Sequence, residues 1–207
     1  MRLFGSSGIR GVIGDGFTIE LAERIGEAVG SLHDRIVLGR DTRTSGPMVA
    51  QALVCGATAA GAEVHDAGMV STPTLARAAS KFGCGIMVTA SHNPAQYNGV
   101  KLWNPDGSAF DTEQMETVED RIDSPLPAKG WRDVGRFHIL EGAERDHIEA
   151  ILDGVGGSEA SVVVDCGCGA AFRVSPLTLR EMGCSVLSLN AQPDGFFPAL
   201  PGSMENK

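Results

Sequence analysis

CGIMVTASHNPAQYNGVKLW, residues 84–103, decides the fold. Cys84 to Thr89 is apolar or small without polar alternation, the pattern of a short strand buried on both faces. The run stops at Ser91, His92, Asn93 and Pro94, and Pro94 cannot serve a central ladder. Gly99 to Trp103, with a turn at Asp106-Gly107, predicts a short antiparallel addition. Between them lies a loop that presents one hydroxyl, Ser91, with Lys101 ten residues on.

Upstream, the same grammar repeats. Phe17 to His33 predicts an amphipathic helix with Thr18 as N-cap. Arg35–Gly39 and Ala62–Asp66 are short apolar strands. A helix lies between them, with Ser45 as its cap, Pro47 in its first turn and Gly61 at its end. Pro73 opens another helix that closes near Gly83, and Asp111 to Asp123 is a polar helix. Strands alternating with helices imply right-handed crossovers and an α/β fold, a mostly parallel mixed sheet covered by helices on both faces.

The composition changes at SPLPAKG, Ser124 to Gly130, where two prolines mark a linker. This divides the chain into a first unit, 1–130, and a second, 131–207. The second predicts helices at Ala143–Leu152 and Val174–Met182, and strands at Ser161–Asp165 and Cys184–Leu189. Two strands and two helices make an incomplete α/β unit, whose unpaired strands are a place for self-association.

The chain has 207 residues and a formal net charge of −9, which disfavours a nucleic-acid partner. A local Arg/Lys pocket can still receive a small anion. No apolar run approaches a membrane span, and MRLFGSSGIRG lacks the apolar core of a signal peptide. Five cysteines, Cys55, Cys84, Cys166, Cys168 and Cys184, fit reduced thiols and a cytoplasmic setting. Cys55, Cys84 and Cys184 are expected in the core. Cys166-Gly167-Cys168 reads as a tight strand-to-helix turn, since two thiols do not complete a zinc site. His33, His65, His138 and His147 show no ligand spacing with one another.

In open parallel sheets ligands collect at the carboxyl ends of the strands. There the sequence places GRDTRTSG (39–46), DAGMVSTP (66–73) and the Ser91 loop. Arg40 and Arg43 at such a rim suit phosphate. FGSSGIRG (4–11) adds Arg10 in a glycine frame, without P-loop spacing and without a Gly-Lys-Ser/Thr triplet. Ser91 itself has three readings: a turn serine, an acyl-transfer nucleophile or a phosphoryl acceptor. The second lacks G-x-S-x-G. The third requires a base and nearby cations, for which His92, Lys101 and Arg10 are candidates.

TASHNP followed by Asn98-Gly99-Val100-Lys101 resembles the phosphoserine loop of the α-D-phosphohexomutase family. FGSSGIRG, GRDTRTSG, VVVDCGCGAA and PDGFFP resemble further motifs of that family, in family order. The resemblance implies interconversion of hexose 1-phosphate and 6-phosphate through a phosphoserine at Ser91 and a bound hexose bisphosphate. It implies catalytic roles for Ser91, His92 and Lys101, phosphate binding or loop shaping by Arg10, Arg43 and Asn93, and hexose 1,6-bisphosphate as activator. It also implies Mg²⁺ on a phosphoseryl oxygen of Ser91 and on an Asp-Gly-Asp-x-Asp-Arg loop. No Asp-x-Asp pair occurs in this sequence, and Asp194 is the sole Asp after Asp165. The expectation is therefore a phosphohexomutase segment inactive by itself, with a non-catalytic sugar-phosphate binding or interaction module as the alternative.

Overall fold

The computed structural model describes residues 8–124 and 129–197. The elements run β1 (Ile9–Val12), α1 (Ile19–Leu32), β2 (Arg35–Arg40), α2 (Gly46–Ala59), β3 (Glu63–Met69), α3 (Thr72–Ala78), β4 (Cys84–Val88) and β5 (Tyr97–Trp103). They continue with α4 (Thr112–Asp123), β6 (Phe137–Ile139), α5 (Ala143–Gly154), β7 (Ser161–Asp165), α6 (Val174–Glu181) and β8 (Ser185–Leu189). Strands β1 to β6 form one mixed sheet in the order β1-β5-β4-β2-β3-β6. Strands β4-β2-β3-β6 run parallel, with β6 at one edge, and β5 and β1 pair antiparallel at the other side.

Each central strand divides its side chains between two cores. Ile36, Leu38, Cys84, Ile86 and Val88 face α1, α2 and α4 in the larger core. Val37 and Met87 point the other way, onto Val70, Leu75, Ala79 and Phe82. Alternation with both faces apolar is why these strands read as continuous hydrophobic runs. Helices α1 and α2 approach closely because Gly56 has no side chain. A Cβ there would lie 2.0 Å from the Glu23 carbonyl oxygen.

Caps fix the helix ends. Thr18 accepts from the Leu21 N–H, as its position before the apolar run predicts. Asp111 and Gln114 form a reciprocal capping box at α4. Ser45 sits at the start of α2 but makes no side-chain cap; its hydroxyl instead receives the Asn98 amide at 2.9 Å. Cys55 is exposed on α2, whereas Cys84 and Cys184 are buried. Its expected place in the core is not where the helix turns it.

The strand Phe137–Ile139 has no counterpart in the sequence reading. It pairs parallel with β3, so the first sheet takes its edge from beyond the boundary expected at residue 130. The second unit then leans on α3 through α5: the Lys81 ammonium pairs with Asp146, and Arg77 Nε donates to the Asp146 carbonyl at 3.2 Å. Strands β7 and β8 pair parallel with each other, and their outward face leaves Val163 and Leu187 exposed. Among the described residues no helix is long and apolar enough to cross a membrane.

Candidate active site

Strand β4 ends at Val88, and the chain leaves the sheet at its carboxyl edge through Thr89, Ala90 and Ser91. The Thr89 N–H still bonds the Gly99 carbonyl at 3.0 Å, so the loop starts from a fixed point. The Thr89 hydroxyl then donates to Asp41 Oδ2 at 2.6 Å and accepts from the Ser91 N–H at 2.9 Å. Ser91 has φ 57°, in the left-handed region, and is exposed. A serine held there carries backbone strain of the kind that accumulates at functional sites. The result is a side chain turned outward over a buried Ala90.

Arg43 explains how the loop keeps this shape. Its Nη2 donates to the carbonyls of Ser91 and Asn93 at 2.9 and 2.7 Å, and its Nη1 to those of Pro94 and Tyr97 at 2.7 and 2.8 Å. Nε donates to Asp41 Oδ2 at 3.1 Å. All five N–H groups of the guanidinium are thereby used on protein acceptors. The side chain has no solvent exposure. Burial draws its pKa down and the Asp41 carboxylate opposes that shift. Arg43 is a strut under the loop, and the phosphate contact expected of it does not fit this geometry. Arg40 pairs with Asp66 through Nη1 at 3.4 Å, while its buried Nε has no hydrogen-bond partner. Ser71, another rim residue, is the N-cap of α3.

Two further cations, Arg10 and Lys101, lie on β1 and β5. Arg10 stands opposite Gly99, and Lys101 is two residues along β5 on the same face. Gly99 permits this: a Cβ there would fall 2.1 Å from the Ile9 carbonyl oxygen and 2.8 Å from Arg10 Cγ. Partial burial first, and the Arg10 charge second, hold the Lys101 pKa below the ordinary lysine value. His92 follows Ser91 and is exposed, and Asn93 enters the network through its carbonyl. The sheet register sets Arg10 opposite Gly99, whose carbonyl accepts from the Thr89 N–H where the Ser91 loop begins, and Lys101 opposite Met87, one residue before the end of β4. Residues 4–7 of the first glycine-rich motif lie outside the described residues.

The second unit reaches the same place from below. Thr42 Oγ1 donates to the Cys168 carbonyl at 2.9 Å. The Phe197 ring lies under the Arg43 guanidinium, 5.1 Å from its carbon. Cys166-Gly167-Cys168 is indeed a tight turn, with Gly167 and Cys168 both at φ 55°. The motif stretches around 166–171 and 193–197 therefore support the Arg43 loop. Sequence reading found them but had no means of placing them there.

The described residues do not complete a Mg²⁺ site. Ser91 offers one oxygen. Both oxygens of Asp41 are engaged, Oδ1 by the Arg43 N–H and Oδ2 by Thr89 and Arg43 Nε. Among the described residues, the cluster with three convergent metal-type donors is Glu63, His65 and His138, and it is not part of this loop.

Residues 1–128 match the family model described as phosphoglucomutase/phosphomannomutase, alpha/beta/alpha domain I. A probable phosphoglucosamine mutase of Methanocella arvoryzae is 56% identical over 199 residues, which are 96% of this chain and 45% of that protein. A probable phosphoglucosamine mutase of Methanosarcina barkeri is 52% identical over 200 residues, 96% of this chain and 46% of that protein. A phosphoglucomutase/phosphomannomutase family protein of Burkholderia thailandensis superposes with TM-score 0.84 at 33% identity, over 95% of this chain and 45% of that one. The chain spans somewhat less than half the length of these relatives. On the domain match, the identities and the shared sheet, the chain belongs to the phosphoglucomutase/phosphomannomutase family.

Proposed function

We propose that this chain supplies the phosphoserine domain of a phosphohexomutase, with Ser91 as the group that carries the phosphoryl. The observation that supports it best is the strained, exposed Ser91 just past the end of β4, held there by the buried Arg43 and Thr89. Phosphorylated Ser91 would donate its phosphoryl to the free hydroxyl of a hexose monophosphate. The P–Oγ bond breaks, a P–O bond to the sugar forms, and the hydroxyl proton leaves to a base. The resulting bisphosphate turns over in the site and returns its other phosphoryl to Ser91. Hexose 1,6-bisphosphate supplied from solution would recharge a dephosphorylated Ser91, which makes it an activator.

Charge and positioning do most of the work in such a transfer. Arg10 would hold a phosphate. Lys101, with its lowered pKa, is suited to exchange a proton as well as to face developing charge. His92 is exposed next to Ser91, where it can help move the hydroxyl proton. Arg43 and Asn93 act through the loop's shape. Mg²⁺ would supply counter-charge at the phosphoserine; in this chain its ligand is Ser91, and the carboxylates must come from elsewhere. The 207 residues alone are expected to show no turnover.

Among hexose phosphates, glucosamine phosphate is the first to test, because that is the substrate in the names of the relatives at 56% and 52% identity. The outward face of the β7–β8 sheet supports self-association of the chain, which light scattering would detect. The deciding experiment is intact mass before and after incubation with glucosamine or glucose 1,6-bisphosphate, followed by phosphopeptide mapping. One added phosphate on Ser91 is the expected result. Label on a different serine, with none on Ser91, sinks the reading.

A further inference from the structure

The parallel register of β3 and β6 sets His65 directly opposite His138. Their rings stack with centroids 4.9 Å apart and planes 23° from parallel. Glu63, two residues before His65 on the same strand, points to the same face. Its Oε1 lies 2.6 Å from His65 Nε2 and 3.6 Å from His138 Nε2. One donor atom from each of the three side chains falls within 4.8 Å of the other two. The histidines are 73 residues apart in sequence, so no spacing rule could have paired them.

Two imidazoles and a carboxylate are the donor set of a borderline transition ion, not of Mg²⁺, which takes oxygen. Ligands at about 2.0–2.2 Å in tetrahedral array stand roughly 3.3 Å from one another. The donor separations here bracket that edge, so small side-chain rotations complete three corners. The fourth corner faces water, since the Glu63 and His138 side chains are 40% and 43% exposed while His65 is 16% exposed and packed on Phe82. Hydrogen bonding to His65 is the first cause that holds the Glu63 carboxyl below its usual range, which keeps it an anion. The nearby Arg35 guanidinium is drawn aside, lying over the Phe82 ring at 5.0 Å.

We propose that Glu63, His65 and His138 bind one first-row divalent transition ion such as Zn²⁺, clamping the edge strand β6 to β3. The site stands apart from Ser91: Glu63 opens β3 at the amino end of the parallel strands, and Ser91 lies past their carboxyl end. The clamp therefore does not depend on the proposed mutase chemistry. Its consequence is mechanical. Strand β6 has three residues, all exposed, and is the last rung of the first sheet before the second unit. An ion there would hold the connection between the units.

The test is titration of metal-free protein with Co²⁺ and with Zn²⁺. Visible absorption reports tetrahedral Co²⁺, and a chromophoric chelator in competition measures Zn²⁺. One ion per chain is expected, with a melting temperature that rises with Zn²⁺ concentration. His138→Gln, on the exposed edge, and His65→Gln should each weaken binding at least ~10-fold, since even supporting partners of metal ligands cost that much. Phosphorylation of Ser91 by the bisphosphate should be unchanged in His138→Gln. Absence of stoichiometric binding overturns the proposal. So does binding that His138→Gln leaves intact, above all with the near-ultraviolet charge-transfer band of a thiolate, which would assign the ion to a cysteine.

Discussion

Arg43 Nη2 donates to the backbone carbonyl of Ser91 at 2.9 Å, from a guanidinium with no exposure to solvent. A full charge is thus kept beneath the loop that carries the candidate nucleophile. Its partners are one carboxylate and four carbonyls, so the loop closes around the cation. The arrangement makes the conformation of Ser91 depend on a residue 48 positions away.

Arg43→Met should be severely destabilising. It leaves the Asp41 carboxylate and four carbonyls short of donors in a dry setting. Breaking a buried charge pair from one side costs about 3–5 kcal/mol. Arg43→Lys should fail too, because three donors on a point cannot replace a planar fork of five. Urea midpoints and hydrogen exchange of residues 91–97 would measure both. Arg43→Lys with wild-type stability and protection would show that charge alone matters.

Thr89→Val tests the second support. The hydroxyl bridges Asp41 Oδ2 and the Ser91 N–H, and valine keeps the shape but not the bonds. A loss of about 1–3 kcal/mol is expected for the buried groups left unpaired. Thr89→Ser should recover most of it. The rate of Ser91 phosphorylation by a hexose bisphosphate should fall in Thr89→Val and recover in Thr89→Ser. Equal rates in both variants would make the bridge merely structural.

How far this was legible in sequence follows from what kind of interaction fixes each part. The parallel strands Arg35–Arg40 and Cys84–Val88 were readable, since burial on both faces leaves an apolar run. Thr18 and Asp111 were placed at helix starts because capping is local. Strand β6 was not readable: Phe137, His138 and Ile139 alternate, but three residues are too few to establish a period of two, and pairing with β3 is a tertiary event. Arg43 shows the same limit within the site. Its residue type suits phosphate, but only the fold reveals that its donors are already committed. Lys101 and Arg10 become neighbours through strand register, which no local pattern encodes.

Ser91 allows the strain to be measured apart from the chemistry. An L-residue in the left-handed region costs roughly 1–2 kcal/mol relative to its relaxed conformations, and glycine escapes that cost. Ser91→Gly and Ser91→Ala should both abolish labelling by hexose bisphosphate. Ser91→Gly should nevertheless be more stable than Ser91→Ala by about 1 kcal/mol, the strain relieved less the entropy glycine loses on folding. Identical denaturation midpoints for the two would mean the loop relaxes and holds no strain.

Lys101 is the last test, and it joins stability to catalysis. Partial burial and then the Arg10 charge lower its pKa in the folded protein. The unfolded chain therefore holds the proton more tightly, and stability due to this group rises as pH passes from the folded value towards the ordinary lysine value. Below the folded value the destabilising effect of the buried charge is fully present. Lys101→Met should accordingly gain most relative to wild type near neutral pH, and its advantage should shrink as pH rises. Arg10→Met should reduce the effect by removing the second cause. In the complete enzyme, Lys101→Ala should lower kcat by on the order of 10²–10³ with a smaller change in KM, because a cation or acid placed against developing charge acts mainly in the transition state. A Lys101→Ala enzyme with normal kcat and only a raised KM would make Lys101 a substrate-binding residue, and a stability difference independent of pH would mean that its charge is solvated in the fold.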